Sequence, residues 1–213
     1  MTQLETVYEY LNKNYKINEP IFLSDISIGD MKESSIRQQF KKLTEERRIK
    51  RFDAGIYYIP GRSIFKSGTT LSVDEVVKKK YLMDGERKCG YISGVLLANK
   101  LGLTTQVPMV YEVCSNKATT EYRSTKLGNI RVVVRKPYVE VDDNNADALQ
   151  FLDLMREVND ISEIEGYELT ERLKYYLRKM NIEFDSLKPF FPFYPDKIYK
   201  NMYEAGLLNG FTT

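Results

Sequence analysis

The chain has 213 residues, 42% hydrophobic and 29% charged, with a formal net charge of +2; this suits one large domain or two small ones and leaves no apolar run near the roughly 20 residues of a membrane span. It holds no histidine and two cysteines, Cys89 and Cys114, which excludes histidine triads, histidine metal sites and a four-ligand structural zinc. Two thiols in apolar surroundings fit a reducing cytoplasm, and both are expected to be buried and unreactive. Met1-Thr2-Gln3-Leu4-Glu5 has no basic stretch followed by an apolar one, so no secretory signal is expected. No glycine-rich phosphate loop of either common type occurs. Asp142-Asp143 precedes a helix and reads as a cap or turn, so neither a metal nor a cofactor is expected.

The charge is uneven along the chain. Residues 1–31 carry a net −3, residues 32–66 a net +6, and the remainder a net −1. The positive charge is therefore concentrated in one short segment.

In chain order, Leu4, Val7, Tyr8, Leu11 and Tyr15 recur at helical spacing, and Thr2 with Glu5 forms a capping box, so the first helix is expected over residues 2–14. Pro20-Ile21-Phe22 is short and extended. Ser24 is placed to cap a brief second helix through Asp25 and Ile26, which Gly29 ends. Asp30 with Glu33 is a further capping pair, and opens a third helix to about Arg47. Two strands follow, 49–52 and 56–59, joined by Asp53-Ala54-Gly55 with Gly55 free to take positive φ. The order predicts a winged helix-turn-helix over residues 1–61. The polar segment 62–70 reads as a linker.

The rest, 71–213, is expected to be a mixed α+β domain. Ser72 with Glu75 reads as a capping box for a helix carrying Val73, Val76, Val77 and Tyr81. A second helix spans about 93–100, with Gly102 as its stop. Three strand-like runs, 109–115, 121–125 and 130–135, predict a small antiparallel sheet. Helices are expected at about 146–158, 168–180 and 196–208. The aromatic and proline run 189–195 reads as a loop packed on the core, with an exposed partner-binding patch as the alternative.

At 100° per residue, Ile36, Phe40 and Leu43 form one stripe of the third helix, and Ser34, Gln38, Lys41 and Lys42 point the other way with Arg37 on the flank. That is the face a recognition helix presents to a major groove. Arg and Gln can bond guanine and adenine edges bidentately, Lys neutralises phosphate, and Ser34 and Ser35 in the first turn can take a phosphate. Arg48, Lys50 and Arg51 carry the charge into the wing. The competing reading is an ordinary solvated face or a protein-binding winged helix; RNA is disfavoured because a helix cannot enter the A-form major groove. A second basic stretch, Arg123, Lys126, Arg131, Arg135 and Lys136, is either an additional nucleic-acid surface or the polar side of a sheet, and 131–135 reads as a strand with a buried centre.

The winged helix ends in Gly55-Ile56-Tyr57-Tyr58-Ile59-Pro60, and the later run from Gly90-Tyr91-Ile92-Ser93-Gly94 to Leu101-Gly102-Leu103-Thr104-Thr105-Gln106-Val107-Pro108 completes a pattern. The pattern, over roughly residues 1–160, resembles the AbiEi-like antitoxins and transcriptional regulators of bacterial type IV toxin–antitoxin systems. The resemblance implies a repressor that binds inverted repeats in double-stranded promoter DNA, and a C-terminal domain that opposes a nucleotidyltransferase-like toxin without a stable complex. No catalysis, no membrane partner, and a monomer or a weak dimer on DNA are expected. Two other classes stand beside it: an enzyme acting on a toxin or nucleotide with the winged helix as adaptor, and a ligand-sensing regulator with a pocket near 190–199.

Overall fold

The computed structural model describes residues 2–62 and 69–208. The protein is α+β and divides into two compact units, 1–79 and 80–213.

The first unit begins with α1 (Gln3–Asn14), which buries Val7 and Leu11. Thr2 caps it by accepting the Glu5 backbone N–H at 3.3 Å. The expected box is half made, because the Glu5 carboxylate bonds Arg48 instead. Strand β1 (Ile21–Phe22) leads into a single 3-10 turn, Leu23–Asp25. This turn replaces the expected second helix, and Ser24 donates to the Asp25 carboxylate rather than capping. Gly29 takes φ +47° in the bend that follows. Helix α2 (Glu33–Glu45) starts two residues later than an Asp30 cap would place it, with Lys32 at its N-cap and no capping side chain. The reason is local: Met31 N–H bonds Ile28 O, so Gly29-Asp30 close a turn outside the helix.

Strands β2 (Lys50–Asp53) and β3 (Ile56–Tyr58) form the hairpin, with Gly55 at φ +73°. Both β1 and β2 pair antiparallel with β3, giving the order β1-β3-β2. Ile36, Phe40 and Leu43 of α2 join Val7, Leu11, Ile21, Ile49 and Ile59 in one core. This is the element order expected of residues 1–61, with the second helix contracted to one turn. The expected linker falls mostly on residues 63–68, outside the described residues. Thr69 is tied into the first unit: its hydroxyl accepts from Gly61 N–H at 2.7 Å and donates to Asn18 Oδ1 at 2.6 Å. Helix α3 (Val73–Val77) has Ser72 at its N-cap without a side-chain bond, so the expected Ser72/Glu75 box does not form, and it runs into a π-turn, Lys78–Leu82.

The second unit opens with a small ribbon, β4 (Met83–Asp84) and β5 (Arg87–Lys88). Next come β6 (Gly90–Ser93) and α4 (Gly94–Lys100). Strand β6 is absent from the periodicity reading. Gly102 ends α4 at φ +68°, as its position indicated. Strands β7 (Val110–Ser115), β8 (Tyr122–Leu127) and β9 (Ile130–Arg135) follow, close to the expected runs. The sheet order is β6-β7-β9-β8, antiparallel except for the parallel β7–β9 pair. Helices α5 (Ala146–Ile161), α6 (Gly166–Lys179), α7 (Phe184–Leu187) and α8 (Lys197–Glu204) complete the described residues. Residues 188–193 form a 3-10 segment whose Phe190 and Phe191 pack on the core with Tyr194 buried, as expected of that run. Asp142 accepts from the Asn144 and Asn145 N–H groups and makes the turn before α5.

Candidate nucleic-acid interface

Helix α2 is built to show one face and hide the other. Ile36, Gln39, Phe40 and Leu43 are buried. Ser34, Arg37, Gln38, Lys41 and Lys42 are exposed, with Ser35 half-buried beside them. Phe40 also meets Tyr57 of β3 edge-on, ring centres 5.0 Å apart, which fixes the rotation of the helix against the wing strands. The side chains of Arg37 and Lys41 are 64% and 80% exposed, and their contacts are i,i+4 ion pairs with Glu33 at 2.5 Å and Glu45 at 3.9 Å. Exposed pairs of this kind contribute roughly 0.3–0.5 kcal/mol. They are weak enough for phosphate oxygens to displace.

The C-terminus of α2 turns sharply into the wing. Arg47 takes φ +59°. The Arg48 N–H bonds Leu43 O at 2.9 Å and the Arg47 N–H bonds Thr44 O at 3.0 Å, a Schellman closure with arginine where glycine is usual. The turn sends Arg48 back to α1. Its guanidinium donates to both Glu5 oxygens, at 2.7 and 2.9 Å, and lies 3.7 Å from the Tyr8 ring centre. Those hydrogen bonds hold the Glu5 carboxyl below its ordinary value. Arg48 therefore does not share the free, outward setting of the α2 set. Lys50 is partly buried and reaches Thr69 O at 3.5 Å. Arg51 is exposed, with its Nε donating to Asp53 O at 3.2 Å.

The structure thus brings Ser34, Ser35, Arg37, Gln38, Lys41 and Lys42 together on one helix, with Arg51 on the wing. Neither Arg48 nor Lys50 stands free.

The second basic stretch splits in the same way. Arg123, Lys126, Arg131 and Lys136 are exposed. Lys126 and Arg131 stand directly opposite across β8 and β9, an unfavourable like-charge pairing. Lys136 lies 3.8 Å from Glu121. Arg135 turns under the sheet to Asp153, which is buried: one Asp153 oxygen accepts from Arg135 Nη2 at 3.0 Å, the Tyr91 hydroxyl at 2.8 Å and the Cys114 thiol at 3.0 Å. Val132, Val133 and Val134 are buried, as the strand reading required. Sequence reasoning missed this cluster; its one local signal is an aspartate inside an otherwise apolar helical stripe.

The glycines and the 104–108 loop also find their causes. A Cβ on Gly94, at φ +62°, would sit 2.7 Å from the Glu112 carboxyl carbon, so that glycine makes room for a carboxylate. The Gln106 backbone accepts from Asn99 Nδ2 at 3.1 Å and donates to Thr104 Oγ1 at 3.1 Å, and its side chain bonds the Glu163 carboxylate. Both cysteines are buried, and burial pushes their thiols up. Among the described residues, no group of three or more His, Cys, Asp or Glu is arranged to hold a metal, and no helix is long and apolar enough to cross a membrane.

No curated protein matches the chain. A family model matches residues 11–166, most of the chain, from the last turn of α1 to the start of α6. On that match the chain belongs to the family described as DUF6088, a family of unknown function.

Proposed function

We propose that the protein is a DNA-binding transcriptional repressor in which α2 lies in the major groove of double-stranded promoter DNA and the wing meets the flanking backbone. The observation that carries this reading is the division of α2 into a buried Ile36/Phe40/Leu43 stripe and an exposed face of Ser34, Arg37, Gln38, Lys41 and Lys42. A groove-reading helix needs both guanidinium or amide groups for base edges and cations for phosphate. This face offers both, on a helix whose rotation is fixed by its core.

The test is titration of the protein on its own promoter, read by fluorescence anisotropy over a range of salt. With about five phosphate contacts, log K falls against log salt with a slope near −4 to −5. The Arg37→Ala/Gln38→Ala/Lys41→Ala variant loses specific binding while its circular dichroism stays that of the parent. Unchanged affinity in that variant overturns the assignment of α2.

The resemblance of the 55–60 and 90–108 runs to AbiEi-like proteins supports a second role, as the antitoxin of a nucleotidyltransferase-like toxin, acting in the cytoplasm without catalysis and without a stable complex. Co-expression with a nucleotidyltransferase-like neighbour restores growth on this reading. Neutralisation at substoichiometric ratios with a change in toxin mass would instead make the protein an enzyme.

A further inference from the structure

The second unit has a concavity that the DNA reading does not use. It lies where the end of α4 meets α6, and measures about 370 Å³, within the roughly 300–1,000 Å³ of small-ligand sites. Lys100, Arg172 and Lys179 line it, with Tyr175 and Tyr176, and its lining includes no acidic residue. We propose that this concavity binds a nucleoside monophosphate, the phosphate on Arg172 and Lys179 and the base against Tyr175.

The placement follows from helix geometry. At 100° per residue, Arg172, Tyr175, Tyr176 and Lys179 fall on one stripe of α6, beside the stripe of Leu169 and Leu173 that faces the core. Tyr176 belongs to both. Its hydroxyl donates to Gln150 Oε1 at 2.7 Å and its ring stacks on Phe151, so that wall is rigid. Tyr175 is 59% exposed, an aromatic face available to a planar partner. Gly102 brings the backbone close: a Cβ there would stand 3.4 Å from an Arg172 guanidinium nitrogen.

Cations gather at helix C-termini because carbonyl dipoles favour them, and this accounts for Lys100 and Lys179, each in a last turn. It does not account for Arg172, which sits mid-helix. Arg172 pairs with Glu168 at 3.9 Å, an exposed pair of little strength. A recess whose charged lining residues are all cations focuses positive potential. An arginine fork and an ammonium match phosphate, and exposed tyrosine matches a base.

The test is calorimetric titration of the full chain with AMP, GMP, CMP and UMP, with guanosine and inorganic phosphate as partial ligands. At least one monophosphate binds saturably at one per chain, at least about tenfold more tightly than guanosine or inorganic phosphate. Arg172→Glu and Lys179→Glu each weaken it by about tenfold or more, Arg172→Lys retains part of it, and Tyr175→Ala weakens the nucleotide without changing phosphate binding. Melting curves matching the parent show that the variants fold. The proposal fails if no monophosphate binds at millimolar concentration, if folded variants bind as the parent does, or if inorganic phosphate binds as tightly as the nucleotides. Preference for a single-stranded oligonucleotide over every monophosphate also overturns it. None of these outcomes bears on the binding of promoter DNA by α2.

Discussion

Arg48 and Glu5, forty-three residues apart in the chain, are joined by two hydrogen bonds that fasten the start of the wing to the first turn of α1. The same guanidinium covers the Tyr8 ring, so one side chain closes the first unit by charge and by packing. A residue so held is a brace, whatever its charge contributes to the surface. Arg48→Ala is expected to lower the melting temperature while leaving the salt slope of DNA binding unchanged. Lys42→Ala is expected to do the reverse, reducing the slope by about 1 with no loss of stability. Because the bonds hold the Glu5 carboxyl below its ordinary value, the stabilisation is present above the usual carboxylate range. It is lost as pH falls through that lowered value. Melting temperatures of parent and Arg48→Ala should therefore converge in acid.

Arg47, next to the brace, holds φ +59° in the turn that frees Arg48 to swing back. A left-handed conformation costs a side-chain-bearing residue about 1–2 kcal/mol relative to glycine. Part of that is recovered as the lower entropy of an unfolded arginine. Arg47→Gly is expected to stabilise the protein by about 0.5–1 kcal/mol, a rise of about 2 °C at this size. Urea unfolding and calorimetry of the pair would measure it.

What could be read from the sequence is what repeats locally. The Ile36/Phe40/Leu43 stripe is visible because a helix returns to one face every three or four residues, and its opposite face follows by subtraction. Strand β9 is visible because three valines stand between two arginines. Strand β6 is not, because Gly90, Tyr91 and Ser93 are all buried and give no alternation. The fates of the arginines were equally hidden. Arg48 and Arg37 look alike in a charge count, and only a partner forty-three residues away separates the brace from the exposed face. Arg135 is taken out of the basic stretch by Asp153 on α5 in the same manner. The three missing caps, Ser24, Asp30 and Ser72, show the limit from the other side. A capping pattern marks a start, but a glycine turn nearby or the next layer of packing decides whether the bond is made.

Asp153 carries the charge balance of the second unit's interior. One of its oxygens accepts three donors while the other, Oδ1, has no hydrogen-bond partner and lies 3.8 Å from Arg156 Nε. Removing one member of a buried pair leaves the other uncompensated, at a cost of about 3–5 kcal/mol. That is a large share of the 5–15 kcal/mol typical of a folded domain. Asp153→Asn is expected to lower stability by about that much in urea unfolding. Replacing both partners by apolar residues, Asp153→Leu with Arg135→Met, is expected to recover most of it. A double variant no better than the single would show that the other donors, Tyr91 and Cys114, hold the site together.

Glu112 of β7 lies on the same side of the sheet, its carboxylate against the Gly94 backbone. Burial pushes its carboxyl up, reinforced by Glu157 and only partly opposed by Arg135 and Arg156. A carboxyl whose folded value is raised stabilises the fold in its protonated form, fully so below its unfolded value and decreasingly as pH climbs through the folded one. Ionised Glu112 therefore strains the second unit at neutral and alkaline pH, where glutamine of the same shape would not. Glu112→Gln is expected to melt higher than the parent at pH 8, with the gap narrowing toward pH 5 as the parent's own carboxyl takes up its proton. The comparison isolates this one group, since every other titrating residue is common to both proteins. A gap that stayed constant with pH, or widened in acid, would mean that Glu112 is held ionised by the two arginines and that its carboxylate is part of the charged network rather than a load on it.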